Sequence, residues 1–94
     1  MKVSENMNYI KIFNQIIDEN PIAFKVLLFL IEQSDEKNIS DCSYLLLDGA
    51  LNISVPTAVR AVKLLEEMKL ITIIKTETHH TCEIEASICR FFKG

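Results

Sequence analysis

The sequence predicts a mainly α-helical domain with a C-terminal β-hairpin. Between about residue 8 and residue 68, apolar side chains recur at spacings of three and four, which is the period of α-helices. From Leu70 the period changes to about two, and β-branched residues become frequent. The chain has 94 residues, of which 49% are hydrophobic. Length and composition therefore suit a single small domain over residues 1–94 with one core.

Two helices are expected in the first third of the chain. The first runs from about Asn8 to Glu19, within an N-terminal segment spanning residues 1–19. The dipeptide Asn20-Pro21 then indicates a new helix start, because Asn caps helices and Pro fits the first helical position. The second helix reaches about Gln33 and is apolar almost all round. Such a helix is typically central in a domain or shared between subunits.

A helix-turn-helix is expected over residues 44–68. Its first helix is short, from Tyr44 to Leu51. Asn52 breaks that helix, because Asn tolerates a left-handed backbone better than most residues. The second helix opens with Ser54, whose hydroxyl can accept a hydrogen bond from a free N–H of the first turn. Pro56 lies in that turn, where its missing N–H costs nothing.

The hairpin is expected over residues 70–86. The segment Leu70–Thr76 is rich in β-branched residues, and after a polar stretch the segment Cys82–Ala86 alternates apolar and polar side chains. Ahead of the helix-turn-helix, Ile39 is expected to form a strand of one or two residues. After the hairpin, Ile88–Phe92 is expected as a short apolar tail, helical or extended.

Charge restricts the kind of surface the protein can present. The formal net charge is −3, which does not favour a nucleic-acid partner. Residues 1–50 carry four basic and eight acidic side chains, whereas residues 51–94 carry six basic and five acidic ones. The acidic surplus therefore lies mainly outside the second half of the chain. Any DNA binding must depend on a small local patch of basic residues.

Cysteine usage and hydropathy indicate the compartment. Cys42, Cys82 and Cys89 are odd in number and widely spaced, so we expect free thiols packed as small hydrophobes in a reducing cytoplasm. No apolar run approaches the roughly 18 residues that span a bilayer. The polar N-terminus lacks the apolar segment of a signal peptide. We therefore expect a cytoplasmic protein without a membrane partner.

A string of residues at fixed spacing carries a family resemblance. It reads Ser54-x-x-Thr57-x-x-Arg60-x-x-x-x-Leu65-Glu66-x-x-x-Leu70-Ile71. This string resembles the winged helix-turn-helix family of bacterial DNA-binding domains. The likeness is tight over about a third of the chain, from Leu47 to Lys75, and elsewhere is limited to element order. It implies a three-helix core with an added N-terminal helix and a wing.

Two groups within that family are most similar over Thr57–Ile71. One is the multiple-antibiotic-resistance type of repressor. The other is the small replication initiators of plasmids and phages of Gram-positive bacteria, which also carry apolar residues at the positions of Val59 and Leu64. The sequence does not decide between them, so both transcription regulation and DNA replication stay open.

The resemblance implies DNA contacts through the second helix of the helix-turn-helix and through the hairpin tip. A helix N-terminus favours phosphate, and an α-helix fits the major groove. Arg60 is expected to read guanine, Thr57 to contact a thymine methyl or a phosphate, and Lys63 to contact the backbone. The expected DNA-binding residues are Ser54, Pro56, Thr57, Arg60, Lys63, Lys75, Thr76, Thr78, His79 and His80.

The first two helices carry more apolar side chains than one small winged domain needs. One interpretation is a helix lying across the core, and the other is a homodimer interface. A dimer would place two recognition helices on successive major-groove faces, about 34–36 Å apart. The residues expected at that dimer interface are Tyr9, Ile12, Ile16, Phe24, Leu28 and Phe91.

These patterns predict a dimeric, sequence-specific double-stranded DNA-binding protein, either a transcriptional regulator or a plasmid or phage replication factor. The alternative is a winged-helix protein–protein interaction module, an adaptor or inhibitor that does not bind DNA. The net acidity, Asp48 and the acidic residues of the hairpin favour this alternative. A small-molecule sensor is a weaker third hypothesis, because no residue singles out a pocket.

Catalysis, metal binding and cofactors are not expected. The chain has no Gly-rich phosphate loop and no Ser-His-Asp set, so the sequence does not indicate an enzyme. The pattern His79-His80-x-Cys82 invites a metal interpretation, but it matches no zinc-site spacing. Adjacent residues on a strand also point to opposite faces. We therefore expect a plain polar hairpin tip.

Overall fold

The computed structural model describes residues 3–75 and 80–93. Over these residues the chain forms five helices and three strands. In chain order they are α1 (Val3–Glu19), α2 (Pro21–Gln33), β1 (Ile39–Asp41), α3 (Tyr44–Leu51), α4 (Val55–Glu67), β2 (Ile71–Lys75), β3 (His80–Ile84) and α5 (Ala86–Lys93). The mainly helical prediction is confirmed. The predicted hairpin is paired and belongs to a three-stranded sheet. Its second strand runs over His80–Ile84 instead of Cys82–Ala86, because Ala86 already begins α5.

The sheet is antiparallel with strand order β1-β3-β2, so β3 is its central strand. On one side Ile71 is opposite Ile84, and on the other Ser40 is opposite Cys82. The pairing of β1 extends by a backbone hydrogen bond from Cys42 N to His80 O at 2.9 Å. The sequence predicted one or two strand residues at Ile39, and the observed strand has three. Pairing with a distant strand lengthens this element, and periodicity does not detect such pairing.

Helices α2 and α3 each begin at a capping residue, α2 at Asn20, as the sequence predicted, and α3 at Ser43. Asn20 accepts a hydrogen bond from Ala23 N at 3.3 Å at the start of α2. Ser43 Oγ accepts one from Leu46 N at 3.2 Å at the start of α3. Each cap satisfies a backbone donor that has no partner inside its helix.

The first helix begins earlier than expected, at Val3 instead of about Asn8. The prediction relied on apolar periodicity, which begins only at Tyr9. The preceding segment contains no Gly or Pro, so nothing in it stops a helix from extending into polar sequence.

Two helix ends use a left-handed residue that is not glycine. Asn52 ends α3 with φ 58° and ψ 48°, as the sequence predicted. Lys69 follows α4 with φ 64°. Lys69 N donates to Glu66 O at 3.0 Å, and Leu70 N donates to Leu65 O at 3.0 Å, which is the Schellman pattern of a helix end. The same turn redirects the chain from α4 into β2.

Helix α2 lies at the centre of the core and packs against α1, α4 and β1. This position explains why its sequence is apolar almost all round. Its buried residues are Ala23, Val26, Leu27, Leu30 and Ile31. The inner stripe of α4 packs in the same core cluster and comprises Ala58, Ala61, Val62 and Leu65.

The two ends of the described chain contribute to this core as well. The tail that the sequence left as helical or extended is the helix α5, with Ile88 and Cys89 buried. Ile16 of α1 is fully buried in the core cluster. The expectation that Ile16 faces a partner subunit is therefore wrong, because α1 packs on α2 and covers this side chain within one chain.

Candidate nucleic-acid interface

Helices α3 and α4 meet at a sharp angle across a short turn. Three residues, from Asn52 to Ser54, separate them, and the bend between the helices is 110°. Helix-turn-helix motifs join two helices at about 90–120° through a turn of three or four residues. The geometry at residues 44–67 falls within that range. The axis of α4 is therefore steeply inclined to that of α3.

The first turn of α4 is fixed by two hydroxyl groups. Ser54 Oγ accepts a hydrogen bond from Thr57 N at 3.3 Å, as the sequence predicted for a capping residue. The same Ser54 hydroxyl donates to Thr57 Oγ1 at 2.8 Å. The two side chains therefore hold each other in place in the first turn of α4. Pro56 lies in the same turn without an N–H to satisfy.

One face of α4 is exposed along its length. Pro56, Val59, Arg60 and Lys63 are exposed and recur at spacings of three and four, so they form one ridge on the helix surface. We call these four residues the α4 ridge. The sequence predicted that Arg60 and Lys63 face outward, and their exposure confirms it. Thr57 lies beside the ridge and is half-buried.

Charge is distributed unevenly along α4. Its basic residues, Arg60 and Lys63, lie in the middle of the helix, and its acidic residues, Glu66 and Glu67, lie in the last turn. The first turn carries no acidic residue. A carboxylate near a helix N-terminus usually neutralises the positive end of the macrodipole. The N-terminus of α4 has no such carboxylate in its first turn. The N-terminal half of α4 is thus the part best suited to an anion.

A shallow groove runs along one side of the ridge. Arg60 and Lys63 line it together with Glu19 and Asn20 from the junction between α1 and α2. The Asn20 side chain serves the cap of α2. Glu19 places one carboxylate beside the two cations of the ridge. The positive surface is therefore narrow and is bounded by acid on this side.

The end of the hairpin nearest its turn lies next to α3. His80, the first residue of β3, is exposed, and its ring centroid is 6.1 Å from that of Tyr44. This contact connects the hairpin with the start of the helix-turn-helix. Lys75 is paired with His80 at the end of β2. Its side chain, and the predicted site residues Thr76, Thr78 and His79, lie outside the described residues.

Two carboxylates lie at the end of β3: Glu83 within the strand and Glu85 directly after it. Glu83 is exposed and opposite Thr72. Glu85 Oε1 accepts a hydrogen bond from Ser87 N at 2.9 Å, so this carboxylate serves the start of α5. The Glu85 carboxylate thus has a local role, which accounts for one of the acidic residues in the hairpin.

The structure adds three residues to the candidate interface that sequence reasoning left out. Val59 lies on the α4 ridge, and Tyr44 shares a shallow groove with Val59 and Ile73. Leu45 beside Tyr44 is 78% exposed, the largest exposed fraction among the large apolar side chains described. The helical period from Pro56 through Val59 to Lys63 was the available signal for Val59. No sequence signal marks Leu45, because an apolar residue next to a cap is usually buried.

The cysteines are buried thiols. Cys42, Cys82 and Cys89 are all buried and free, which confirms the expectation that they pack as small hydrophobes. The hydrogen bond shared with Cys42, together with burial, raises the pKa of the Cys82 thiol above its ordinary range. Among the described residues no group of three or more His, Cys, Asp or Glu side chains is placed to hold a metal ion.

A cluster of aromatic rings lies where α1, α2 and α5 meet. The rings surround Phe13, whose centroid is 5.3 Å from Phe24, 5.8 Å from Phe91 and 5.4 Å from Phe92. Tyr9 stacks on Phe13 at 6.1 Å. We call these five residues the aromatic cluster. Phe91 and Phe92 remain 36% and 39% exposed, so the cluster opens to the surface.

The remaining members of the expected dimer interface lie on the same two N-terminal helices. Ile12 of α1 is half-buried, and Leu28 of α2 is 40% exposed. Tyr9, Phe24 and Phe91 belong to the aromatic cluster. Five of the six residues predicted for this interface are thus at least partly accessible, and Ile16 is the exception.

No family model, curated protein or solved structure matches this chain. Within the described residues, no single helix has the length and apolar character needed to cross a membrane. The bent pair of α3 and α4 meets that criterion only when the two helices are taken together.

Proposed function

We propose that this chain is a winged helix-turn-helix domain that binds double-stranded DNA in a sequence-specific manner. In this proposal α4 is the recognition helix, α3 is the supporting helix, and the hairpin of β2 and β3 is the wing. The protein acts as a transcriptional regulator or as a plasmid or phage replication factor. The resemblance of the segment from Ser54 to Ile71 to this family supports the same assignment.

One observation carries the proposal. Helix α4 leaves α3 at 110° and exposes Pro56, Arg60 and Lys63 on one ridge, and a hairpin follows it directly. A helix presented in this way can enter the major groove with its first two turns against base edges. The hairpin then lies beside the helix, where its tip can reach the adjacent backbone or minor groove.

A homodimer is part of the proposal. The α4 ridge offers two cations on a chain of net charge −3, so one copy has little electrostatic affinity for phosphate. Two copies double the number of phosphate contacts and read two half-sites. The aromatic cluster, with Leu28 and Ile12, is the surface we assign to the contact between copies. Its exposed phenylalanines favour this assignment over a solvent-facing role.

The test is fluorescence anisotropy with the full chain and random-sequence duplex DNA at low salt, followed by a salt series. We expect micromolar or tighter binding that weakens steeply as salt rises, with a slope that counts the phosphates contacted. A control with the free dye and no DNA measures any binding of the dye itself to the protein. Absence of binding at low salt would exclude the DNA function, because specific DNA binders retain non-specific affinity.

The second candidate is a winged-helix protein-interaction module. The exposure of Leu45 and the carboxylate of Glu83 on the hairpin favour it, since both features suit a protein surface better than phosphate. This candidate predicts no DNA affinity at low salt and a stable complex with a protein partner. The anisotropy experiment therefore separates the two functions.

A further inference from the structure

We propose that Val59 is a specificity-determining residue that packs against the C5-methyl group of a thymine in the DNA target. The inference rests on the proposed function, and it names what part of the target the α4 ridge recognises. The target then contains a thymine next to the base that Arg60 contacts. Three features of the structure lead to this assignment: the position of Val59, its neighbours Tyr44 and Ile73, and the hydrogen bonding of Thr57.

Val59 lies midway along the length of the α4 ridge, on the side that faces Tyr44 and Ile73. It lies about one turn after Pro56, directly before Arg60 and about one turn before Lys63. Its side chain is 36% exposed, whereas Ala58 on the other face is fully buried. Val59 lies within the first two turns of α4. In the proposed docking these turns face the base edges of the major groove, so Val59 is placed to contact a base.

The chemistry of the major groove selects the partner. Base edges there present hydrogen-bond donors and acceptors, and the thymine methyl is the one apolar group among them. Valine has no polar atom, so against a guanine or cytosine edge it removes water without replacing the lost hydrogen bonds. Against a thymine methyl it gains apolar contact without that cost. Val59 thus favours thymine through apolar contact with its methyl group, and it disfavours guanine and cytosine because their polar edges lose hydrogen bonds to water.

Val59 lines a shallow groove together with Tyr44 and Ile73 on the side of α3 and β2, and with the charged Lys63 and Glu66 of its own helix. On the side of Tyr44 and Ile73, a methyl group that packs on Val59 meets further apolar surface. A β-branched side chain in a helix holds one dominant rotamer, so Val59 loses little conformational entropy when a base packs on it.

Thr57 is less suited than Val59 to pack against the methyl group of a thymine. Its hydroxyl accepts the 2.8 Å hydrogen bond from Ser54, and the residue is half-buried beside the ridge. This bond commits the Thr57 side chain to the helix cap and orients its hydroxyl. Sequence reasoning assigned Thr57 to a thymine methyl or a phosphate. The structure leaves the phosphate contact for Thr57 and assigns the methyl contact to Val59.

The experiment begins with selection of a binding site from random duplex DNA by the full chain. In the selected site each thymine is then replaced singly by deoxyuridine, which removes only the methyl group. Affinities are measured by anisotropy for the wild type, Val59→Ala, Val59→Thr and Ile10→Ala. Val59→Thr keeps one methyl group in nearly the same shape. Ile10 is 51% exposed on α1 and serves as the matched control for loss of exposed apolar surface.

We expect one thymine per half-site whose replacement weakens wild-type binding about fourfold, the effect of burying about one methyl group. Val59→Ala should lose a similar factor on the thymine site and show no further loss on the deoxyuridine site. Val59→Thr and Ile10→Ala should keep the wild-type preference for thymine.

Two results would overturn the inference while leaving the proposed function intact. One is a selected site in which no thymine methyl affects affinity. The other is a Val59→Ala variant that still prefers thymine to deoxyuridine by the wild-type factor. If the chain selects no site and binds no duplex at low salt, the proposed function itself fails, and the inference fails with it.

Discussion

Ser54 and Thr57 are joined by a 2.8 Å hydrogen bond between their hydroxyl oxygens at the N-terminus of α4. Ser54 Oγ also accepts a 3.3 Å bond from Thr57 N, so one side chain both caps the helix and fixes the rotamer of the other. The pair presents an ordered first turn on the helix that we assign to DNA. Stability and binding at this turn can be separated by choice of substitution.

Ser54→Ala and Ser54→Asp are expected to differ in their effects. Ala removes the cap and should lower the free energy of unfolding by about 1 kcal/mol. Asp caps a helix as well as Ser does, so stability should be kept, but its carboxylate faces the phosphates and should weaken DNA binding roughly tenfold. Urea denaturation and anisotropy measure the two effects. Ser87→Asp on α5 adds the same charge elsewhere and should bind DNA almost normally.

Arg60→Ala and Lys63→Ala should weaken DNA binding in different ways. Arg60→Ala is expected to cost about 1–3 kcal/mol and to relax the preference at one base position. Lys63→Ala should weaken binding to all sequences about equally and reduce the salt slope by about 1. Affinities over a set of single-base variants, each across a salt series, check both. Lys11→Ala on α1 is the control for simple loss of charge. Unchanged affinity of Arg60→Ala would contradict the assignment of α4 as recognition helix.

Lys69→Gly should stabilise the protein. Lys69 has φ 64°, and a left-handed backbone costs an ordinary L-residue about 1–2 kcal/mol. Gly relieves that cost but gains freedom in the unfolded chain, so the net gain is about 0.5–1 kcal/mol. Asn52→Gly, at φ 58°, should change stability less, because Asn tolerates this conformation. Urea midpoints with unchanged slopes measure the difference. Equal gains at both positions would show that backbone strain at Lys69 is not the cause.

Leu28→Lys and Phe91→Lys should weaken the homodimer. Each places a charge on the surface assigned to the contact between copies, and the dimer dissociation constant should rise at least tenfold, or about 1.4 kcal/mol. Sedimentation equilibrium measures this constant, and circular dichroism checks that the helices persist. Leu45→Lys alters a side chain that is 78% exposed on α3 and should leave the dimer intact. A wild type that stays monomeric at high concentration would contradict the dimer.

Local chemistry explains why much of the helical part of the fold could be predicted from the sequence. Asn20-Pro21, Asn52 and Ser54 each act on backbone groups within a few residues, and each marks a helix boundary that the structure confirms. The change of period at Leu70 likewise marks the step from α4 to β2. These signals depend on short-range hydrogen bonds and steric limits, which the sequence shows directly.

Features that depend on distant parts of the chain could not be predicted in the same way. The pairing of Ser40 with Cys82 joins segments far apart in sequence. The burial of Ile16 follows from how α1 packs on α2, and apolar character alone does not distinguish a core face from a partner-facing one. For the candidate site, the sequence identified Arg60 and Lys63 by charge and spacing. The helical period could place Val59 on the exposed face of α4, but the role that we propose for it also depends on its neighbours Tyr44 and Ile73, which the sequence does not reveal.

The central position of β3 has a consequence for how the protein reaches this fold. Its partner β2 is a near neighbour in the chain, but β1 comes from the other half, before α3 and α4. The β1–β3 ladder can therefore form only after a long loop has closed, at an entropic cost that the local helices do not meet. We therefore expect β1 to join the sheet after the helices and the local β2–β3 pairing have formed.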